Sequence, residues 1–319
     1  WMIELGAGGL QDLQARAARL RPRGHAIQVR IYAEDTAKDF RPCAGLLSEV
    51  SFPDADGVNL RIDHWIGNGL EISPWFDPML AKIIVHGASR EQAIADLRAA
   101  LAATAIHGVE TNLGYVSAIL AGEVFRNGRM TTRHLNAFRV QLPTVDVLRA
   151  GTQTTIQDYP GRSGYWSVGV PPSGPFDGLS FQAGNALLGN PPDCAGLEIT
   201  LNGPLLRFQV ARRVVVSGAP FEVLLDGAPM AMNAPFTVAE GQQLAIGRAL
   251  GGGARCYLLV AGGFDCPLYL GSRATFSLGR FGGHGGRALV AGDVLRLLPE
   301  TPGEGDAGRL AGVDGGLVA

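Results

Sequence analysis

The residues best suited to chemistry lie in two glycine-rich stretches of the second half of the chain. Gly271–Phe276 carries Ser272 and Arg273, and Gly282–Arg287 carries His284. Hydroxyl, guanidinium and imidazole groups on such loops could bind an anion or a carboxylate, because glycine lets a ligand approach the backbone. The alternative is that these glycines only form the turns of a β-structure, and composition alone favours that interpretation.

A metal site is not predicted at His284, because no second His, Cys or carboxylate stands at ligand spacing from it. A second candidate region is Gln153–Asp177, which combines turn-forming residues, aromatic rings and polar side chains such as Ser173. Loops of this kind often carry function, since a rigid scaffold can hold them open to a ligand. Asp177 is predicted to cap a helix. The apolar face of that helix is predicted to consist of Leu179, Ala183, Ala186 and Leu187.

The elements that position these loops differ between the two halves. Up to about residue 140, alternating β-rich runs such as His25–Glu34 are followed by helical spacing after Ser89, whose hydroxyl is predicted to cap a helix at Gln92. This predicts an α+β domain at 1–140. From Val145 onward, many short apolar runs are separated by Gly and Pro turns, which is typical of a barrel or sandwich.

Composition excludes several classes of function. The net charge of −2 indicates neither nucleic acid nor an anionic membrane as partner, and no apolar run reaches the roughly 18 residues of a spanning helix. Four scattered cysteines without a CxxC pair suit free thiols in a reducing cytosol, so a cytoplasmic protein is expected. The start at Trp1 and the aperiodic stretch 300–319 predict a piece of a longer polypeptide with a poorly ordered tail.

Five motifs follow one another in the first half: His25–Asp35, Pro42–Gly45, Leu60–Asp63, Phe76–Ile84 and Gly108–Asn112. In this order they resemble the C-terminal domain of the biotin carboxylases. The resemblance implies that Arg61 is catalytic, because the arginine at this motif position stabilises the biotin enolate as it attacks carboxyphosphate. An always-charged guanidinium suits an oxyanion that develops only in the transition state. Without the resemblance, Arg61 would be read as a surface arginine on an alternating strand.

The first half lacks the sequence features that bind nucleotide or carry biotin. It has no glycine-rich phosphate loop followed by a lysine strand, no Glu-x-Asn metal pair and no Ala-Met-Lys-Met biotinylation site. The resemblance therefore implies that ATP and Mg bind in an ATP-grasp region outside this sequence, of which 1–22 would be the tail. Biotin would be carried on another domain.

Six motifs follow one another in the second half: Gly151–Arg162, Gly169–Asp177, Leu197–Pro204, Gly262–Asp265, Leu270–Phe276 and Phe281–Arg287. They resemble the first part of the carboxyltransferase domain of the urea carboxylases, over residues 145–299. This domain is related to allophanate hydrolase subunit 2 and to a 5-oxoprolinase subunit. The resemblance implies a mostly-β, cyclophilin-like barrel. It also implies a rim of the substrate pocket that consists of Ser173, Asp177, Ser272, Arg273 and His284.

The order of the two resemblances implies a biotin-dependent carbon–nitrogen ligase. ATP and bicarbonate would serve to carboxylate biotin, and the carboxyl group would then pass to a urea nitrogen, giving allophanate. The present sequence alone is expected to be inactive. Guanidine is an alternative substrate; it is planar but cationic, so its pocket should carry an extra carboxylate. A non-catalytic fragment, an interaction module, a 5-oxoprolinase or allophanate hydrolase-type subunit and a homo-oligomer also stay open.

Overall fold

The computed structural model describes residues 1–300, which form two folded halves joined at 139–143. The predicted tail at 300–319 lies, except for Glu300, outside the described residues. The helices of the first half are α1 (Met2–Gly6), α2 (Leu13–Arg19), α3 (Arg90–Ala102), α4 (Leu113–Ala121), α5 (Glu123–Arg126) and α6 (His134–Ala137). Its strands are β1 (His25–Tyr32), β2 (Glu34–Asp35), β3 (Arg41–Pro42), β4 (Gly45–Leu46), β5 (Glu49–Ser51), β6 (Leu60–His64), β7 (Glu71–Ile72), β8 (Met79–Gly87) and β9 (Ala105–His107).

The first half is built on an antiparallel sheet in the order β1-β8-β6, against which α3 packs. Ile83 and Val85 alternate toward the core along β8, and Leu97 and Leu101 of α3 meet them at helical spacing. The Ser89 hydroxyl accepts a hydrogen bond from the Gln92 amide at 3.2 Å, as predicted. This half is α+β.

The second half contains one α-helix and twelve strands within the described residues. They are β10 (Thr144–Arg149), β11 (Gln153–Gln157), α7 (Gly178–Leu188), β12 (Gly196–Thr200), β13 (Leu205–Phe208), β14 (Arg212–Gly218), β15 (Phe221–Leu225), β16 (Ala228–Pro229), β17 (Phe236–Val238), β18 (Gln243–Ala249), β19 (Arg255–Val260), β20 (Phe264–Asp265) and β21 (Val294–Leu297).

These strands form two antiparallel sheets, in the orders β16-β15-β18-β13-β10-β21-β20 and β11-β12-β19-β14-β17. The sheets face each other across one apolar core, to which Val147 and Leu206 contribute from the first sheet and Leu197 and Val216 from the second. The predicted barrel is not confirmed. Within residues 1–300 neither sheet closes, because β16 and β20 at the ends of the larger sheet are two-residue strands that do not pair with the smaller sheet.

Helix α7 covers the outer face of the five-stranded sheet, where Phe181 and Leu188 contact Val215 and Leu259. The predicted apolar face of this helix was wrong, because Leu179 is 80 % exposed. The buried face instead includes Gly184, where a Cβ atom would lie 2.8 Å from the Leu259 side chain. Close approach of helix and sheet therefore selects the small residue for the buried face.

Candidate functional site

Arg61 lies on β6, an edge strand of the first sheet, and its side chain is 62 % exposed. Its Nε donates to Asp63 Oδ1 at 2.9 Å, two residues along the same face of the strand. This ion pair raises the pKa of Arg61 and lowers that of Asp63. The result is an accessible, permanently charged guanidinium that is oriented by its neighbour, with donors left for an anion.

Ser272 and Arg273 contact Asp158 rather than an open pocket. The Ser272 hydroxyl donates to Asp158 Oδ1 at 2.6 Å, and the Arg273 backbone N–H donates to Oδ2 at 2.7 Å. The Ser272 side chain is fully buried, and the Arg273 guanidinium donates to the Cys266 carbonyl at 3.0 Å. These two residues therefore join the 269–287 region to the loop that follows β11.

The Arg162 side chain contacts both of these loop regions. It ends the motif Gly151–Arg162, but nothing in the sequence distinguished it from the other residues of that motif. It is 1 % exposed and donates to the carbonyls of Tyr269 and Ala274, both at 2.8 Å. Its guanidinium lies over the Phe281 ring, 4.9 Å from the centroid. Burial lowers the pKa of Arg162, while the neighbouring Asp158 acts against that shift.

The segment 171–177 is fastened at two places to the five-stranded sheet. The Gly174 N–H donates to Gln157 Oε1 at 3.0 Å, and the Phe176 N–H donates to Glu198 Oε2 at 2.7 Å. Just before the first of these bonds, Ser173 adopts φ 55°, a left-handed conformation that is uncommon for a residue other than glycine. Such strain is retained where the surroundings determine the loop conformation.

Asp177 begins α7 and caps it, accepting from the Ser180 N–H at 3.0 Å, as predicted. A bond from the Ser180 hydroxyl, followed by this backbone bond, lowers the pKa of Asp177. Its backbone N–H donates to the Tyr257 hydroxyl at 2.7 Å, and Tyr257 also contacts Glu198 at 3.3 Å. Asp177 is exposed, so its carboxylate both caps the helix and faces solvent.

His284 lies where the two halves meet, next to Gly283, whose N–H donates to the Arg273 carbonyl at 2.8 Å. Its Nε2 is 3.5 Å from Asp293, whose carboxylate also pairs with Arg287 at 2.8 Å. Burial raises the pKa of Asp293, but the bonds from Arg287 and His284 outweigh it and the net pKa is lowered. A cavity of about 30 Å³ next to His284 is lined from the first half by residues that include His107 and Glu110.

The interface between the halves contains titratable groups that sequence reasoning missed. Burial, followed by the nearby Arg296, lowers the pKa of His107 to about 4. Burial raises the pKa of Glu110, although Arg296 opposes this. Arg296 comes from the second half and lies 3.6 Å from Glu110. Arg296 lies 186 positions after Glu110 in the sequence, so no local spacing could have indicated this group of residues.

The structure thus brings Ser173, Asp177, Ser272 and Arg273 around the strand β11 and the loop after it. The backbone beside His284 is bonded to Arg273, but the His284 side chain faces Asp293 and the first half, and Arg61 lies on the sheet of the first half. Within residues 1–300, no group of three or more His, Cys, Asp or Glu side chains is arranged to hold a metal ion. No helix of that part of the chain is long and apolar enough to cross a membrane.

Residues 28–137 match the biotin carboxylase C-terminal domain family, and residues 168–311 match the carboxyltransferase domain family, subdomains A and B. The chain is 42 % identical to the urea amidolyase of Lachancea kluyveri over 297 residues, which are 93 % of this chain and 16 % of the relative. Over 282 residues, 88 % of this chain and 22 % of the relative, it is 43 % identical to a putative urea carboxylase of Emericella nidulans. The chain is a homologue of the urea carboxylases.

The same relationship is seen in three dimensions. The crystal structure of the Kluyveromyces lactis urea carboxylase superimposes on 94 % of this urea carboxylase homologue with a TM-score of 0.87 and 41 % sequence identity. The match takes in 27 % of that structure. Both halves are therefore included in one superposition, and the chain spans about a quarter or less of the length of the urea carboxylases and urea amidolyases that it matches.

Proposed function

We propose that this chain is the segment of a biotin-dependent urea carboxylase in which a biotin carboxylase C-terminal domain (1–140) passes into the first part of a carboxyltransferase domain (145–299). The whole enzyme would convert ATP, bicarbonate and urea to allophanate. The observation that carries the proposal is the single superposition of both halves on a urea carboxylase structure. By contrast, the biotin carboxylase of Halalkalibacterium halodurans, 35 % identical, matches only 132 residues, 41 % of this chain.

Arg61 is proposed to stabilise negative charge in the biotin-carboxylation step. Biotin, carried on another domain, supplies a ureido nitrogen that accepts and releases the carboxyl group. Arg61 suits an anionic partner because its guanidinium is accessible and Asp63 orients it at 2.9 Å. Mg and ATP would bind in the ATP-grasp region outside this chain.

In the second half, Ser173 and Asp177 are proposed to line the rim of the urea pocket, since both are accessible and lie on one fastened segment. Ser272 and Arg273 are proposed to act through Asp158, by holding the loop that carries this rim. His284 is proposed to act at the interface between the halves rather than on the substrate. A weak nitrogen nucleophile such as urea needs this fixed positioning.

Urea is preferred over guanidine as the substrate, because the names of the relatives that cover nearly the whole chain specify urea. We propose a cytosolic enzyme, since all four cysteines are free thiols, as suits a reducing compartment. We also propose that the isolated chain is inactive, because ATP and the biotin carrier would bind elsewhere.

The test uses a chimera in which this chain replaces the matching segment of the K. lactis enzyme. We expect ATP hydrolysis that depends on urea, and little ATP hydrolysis when guanidine replaces urea at the same concentration. Arg61→Ala should abolish both biotin-dependent and urea-dependent turnover, whereas Arg98→Ala, at an exposed position on α3, should leave both unchanged. A chimera that folds but responds to guanidine and not to urea would refute the substrate. Full activity of Arg61→Ala would refute the role of Arg61.

A further inference from the structure

The seven-stranded sheet presents a charged face to the first half of the chain. Thr144 of β10 lies opposite Arg296 of β21, and Asp265 of β20 also lies opposite Arg296. Asp146, two residues after Thr144, points to the same face. The alternate residues of these strands, such as Val145, point into the apolar core. One side of the sheet therefore builds the core and the other carries charges toward the first half.

Two ion pairs cross the interface from this face. Arg296 Nη2 lies 3.6 Å from Glu110 and 3.4 Å from the Thr111 hydroxyl. Asp146 Oδ1 lies 3.7 Å from Lys38 Nζ. The Asp146 carboxylate is 5 % exposed and Glu110 is 15 % exposed, so neither pair is freely solvated.

Each crossing is attached to rigid structure on both sides. Asp146 also accepts from Arg207 and from Gln209, both at 2.7 Å, which leaves its carboxylate little freedom. Lys38 is also paired with the buried Asp35 at 2.9 Å. Beside Glu110 and Thr111, the Asn112 side chain accepts from the Tyr32 N–H of β1 at 2.9 Å. Movement at the interface would therefore have to break these bonds or displace a strand.

We propose that the Arg296–Glu110 and Lys38–Asp146 pairs fix the orientation of the two halves, and that this orientation couples biotin carboxylation to carboxyl transfer. Directional ion pairs specify one relative placement, whereas an apolar contact of the same area would tolerate sliding. A carrier domain that must reach two sites in turn depends on their separation, because a tether serves two sites only when its reach matches the span. The coupling of the two reactions rests on the proposed urea carboxylase function, whereas the fixed orientation of the halves does not.

The test is a charge exchange in the same chimera. Arg296→Glu and Glu110→Arg are made singly and together, with Arg149→Glu, at an exposed position on β10, as the control. Three quantities are measured: biotin-dependent ATP hydrolysis, urea-dependent ATP hydrolysis, and the rate of proteolytic cleavage within 139–143. The first reports the first half-reaction alone.

Each single exchange should accelerate cleavage at 139–143 and lower the urea-dependent rate about tenfold, while biotin-dependent hydrolysis stays within about twofold of the parent. The double exchange should recover most of both losses, and the control should change nothing. If a variant with a single exchange does not fold, Arg296→Gln is used in its place. It should change the cleavage rate and the urea-dependent rate in the same directions, but by smaller factors.

Two results would overturn the proposal. One is a single exchange that leaves cleavage and the urea-dependent rate at parental values. The other is a double exchange that fails to recover either. A parent chimera without any urea-dependent hydrolysis would refute the proposed function instead, and the cleavage measurement would still decide whether these pairs fix the orientation.

Discussion

Replacing Arg162 should unfasten the loops of the second half. In Arg162→Met the apolar stem remains, but the carbonyls of Tyr269 and Ala274 lose donors at 2.8 Å. Each lost bond to a charged donor costs about 1.5–3 kcal/mol, and loss of the contact with the Phe281 ring adds about 1 kcal/mol. Against this, the variant no longer buries a guanidinium, whose desolvation lowers the pKa of Arg162.

The net loss of stability should be about 3–5 kcal/mol, a large part of what one domain has. Arg162→Lys should recover only a fraction, because an ammonium cannot reproduce the planar fork that reaches both carbonyls. The matched control is Arg149→Met on β10, where the arginine is exposed and makes no side-chain hydrogen bond within residues 1–300.

The assay is hydrogen exchange of the backbone amides in 155–175 and 269–287, combined with denaturant unfolding of the second half. Exchange should accelerate in both regions at once in Arg162→Met, because one side chain joins them. A loss below about 1 kcal/mol would refute the reasoning, since it would mean that water replaces the guanidinium at those carbonyls without cost. Faster exchange in only one region would refute the claim that Arg162 joins the two.

Three further outcomes are expected. Gly161→Ala should destabilise the chain by about 1–3 kcal/mol more than Gly164→Ala. Both glycines have positive φ, but only at Gly161 would a Cβ atom collide with backbone, 2.5 Å from the Pro172 carbonyl oxygen. The midpoints of denaturant unfolding of the two variants test this difference. Because of His107, the free energy of unfolding should fall as the pH is lowered from about 6.5, the ordinary histidine pKa, to about 4. In this range the unfolded chain binds a proton at His107 and the folded chain does not. His107→Gln should flatten this slope in unfolding experiments across the same pH range. Asp293 has a lowered pKa, so its contribution is present above the ordinary carboxyl pKa of about 4 and is lost as the pH falls further, and Asp293→Asn should remove that acid-side loss in the same titration.

Local sequence signals predicted much of the backbone. The alternation of His25–Glu34 gave β1, and the Ser89 capping signal gave the start of α3 where expected. Both signals act within a few residues, so the sequence contains all that they need. Asn112 shows the limit: it occupies the N-cap position of α4, yet its side chain makes no cap bond and instead accepts from the Tyr32 N–H of β1, 80 residues away.

The role of the candidate site stays a prediction, and the structure shows only where its residues lie. The motifs mark loops that the structure joins to one another, but the contacts of single residues depend on long-range partners. Ser272 was expected at an open rim and is fully buried against Asp158, 114 residues earlier. The helix face of α7 was misjudged because the choice between Leu179 and Gly184 is made by the distance to the sheet, which a helical periodicity does not contain.

The charged face of the seven-stranded sheet has a consequence for how the halves exist apart. A surface of carboxylates and guanidinium groups is well hydrated when the neighbouring half is removed, whereas an exposed apolar surface would promote aggregation. Cutting the polypeptide at 139–143 should thus yield two pieces that each stay dispersed in water.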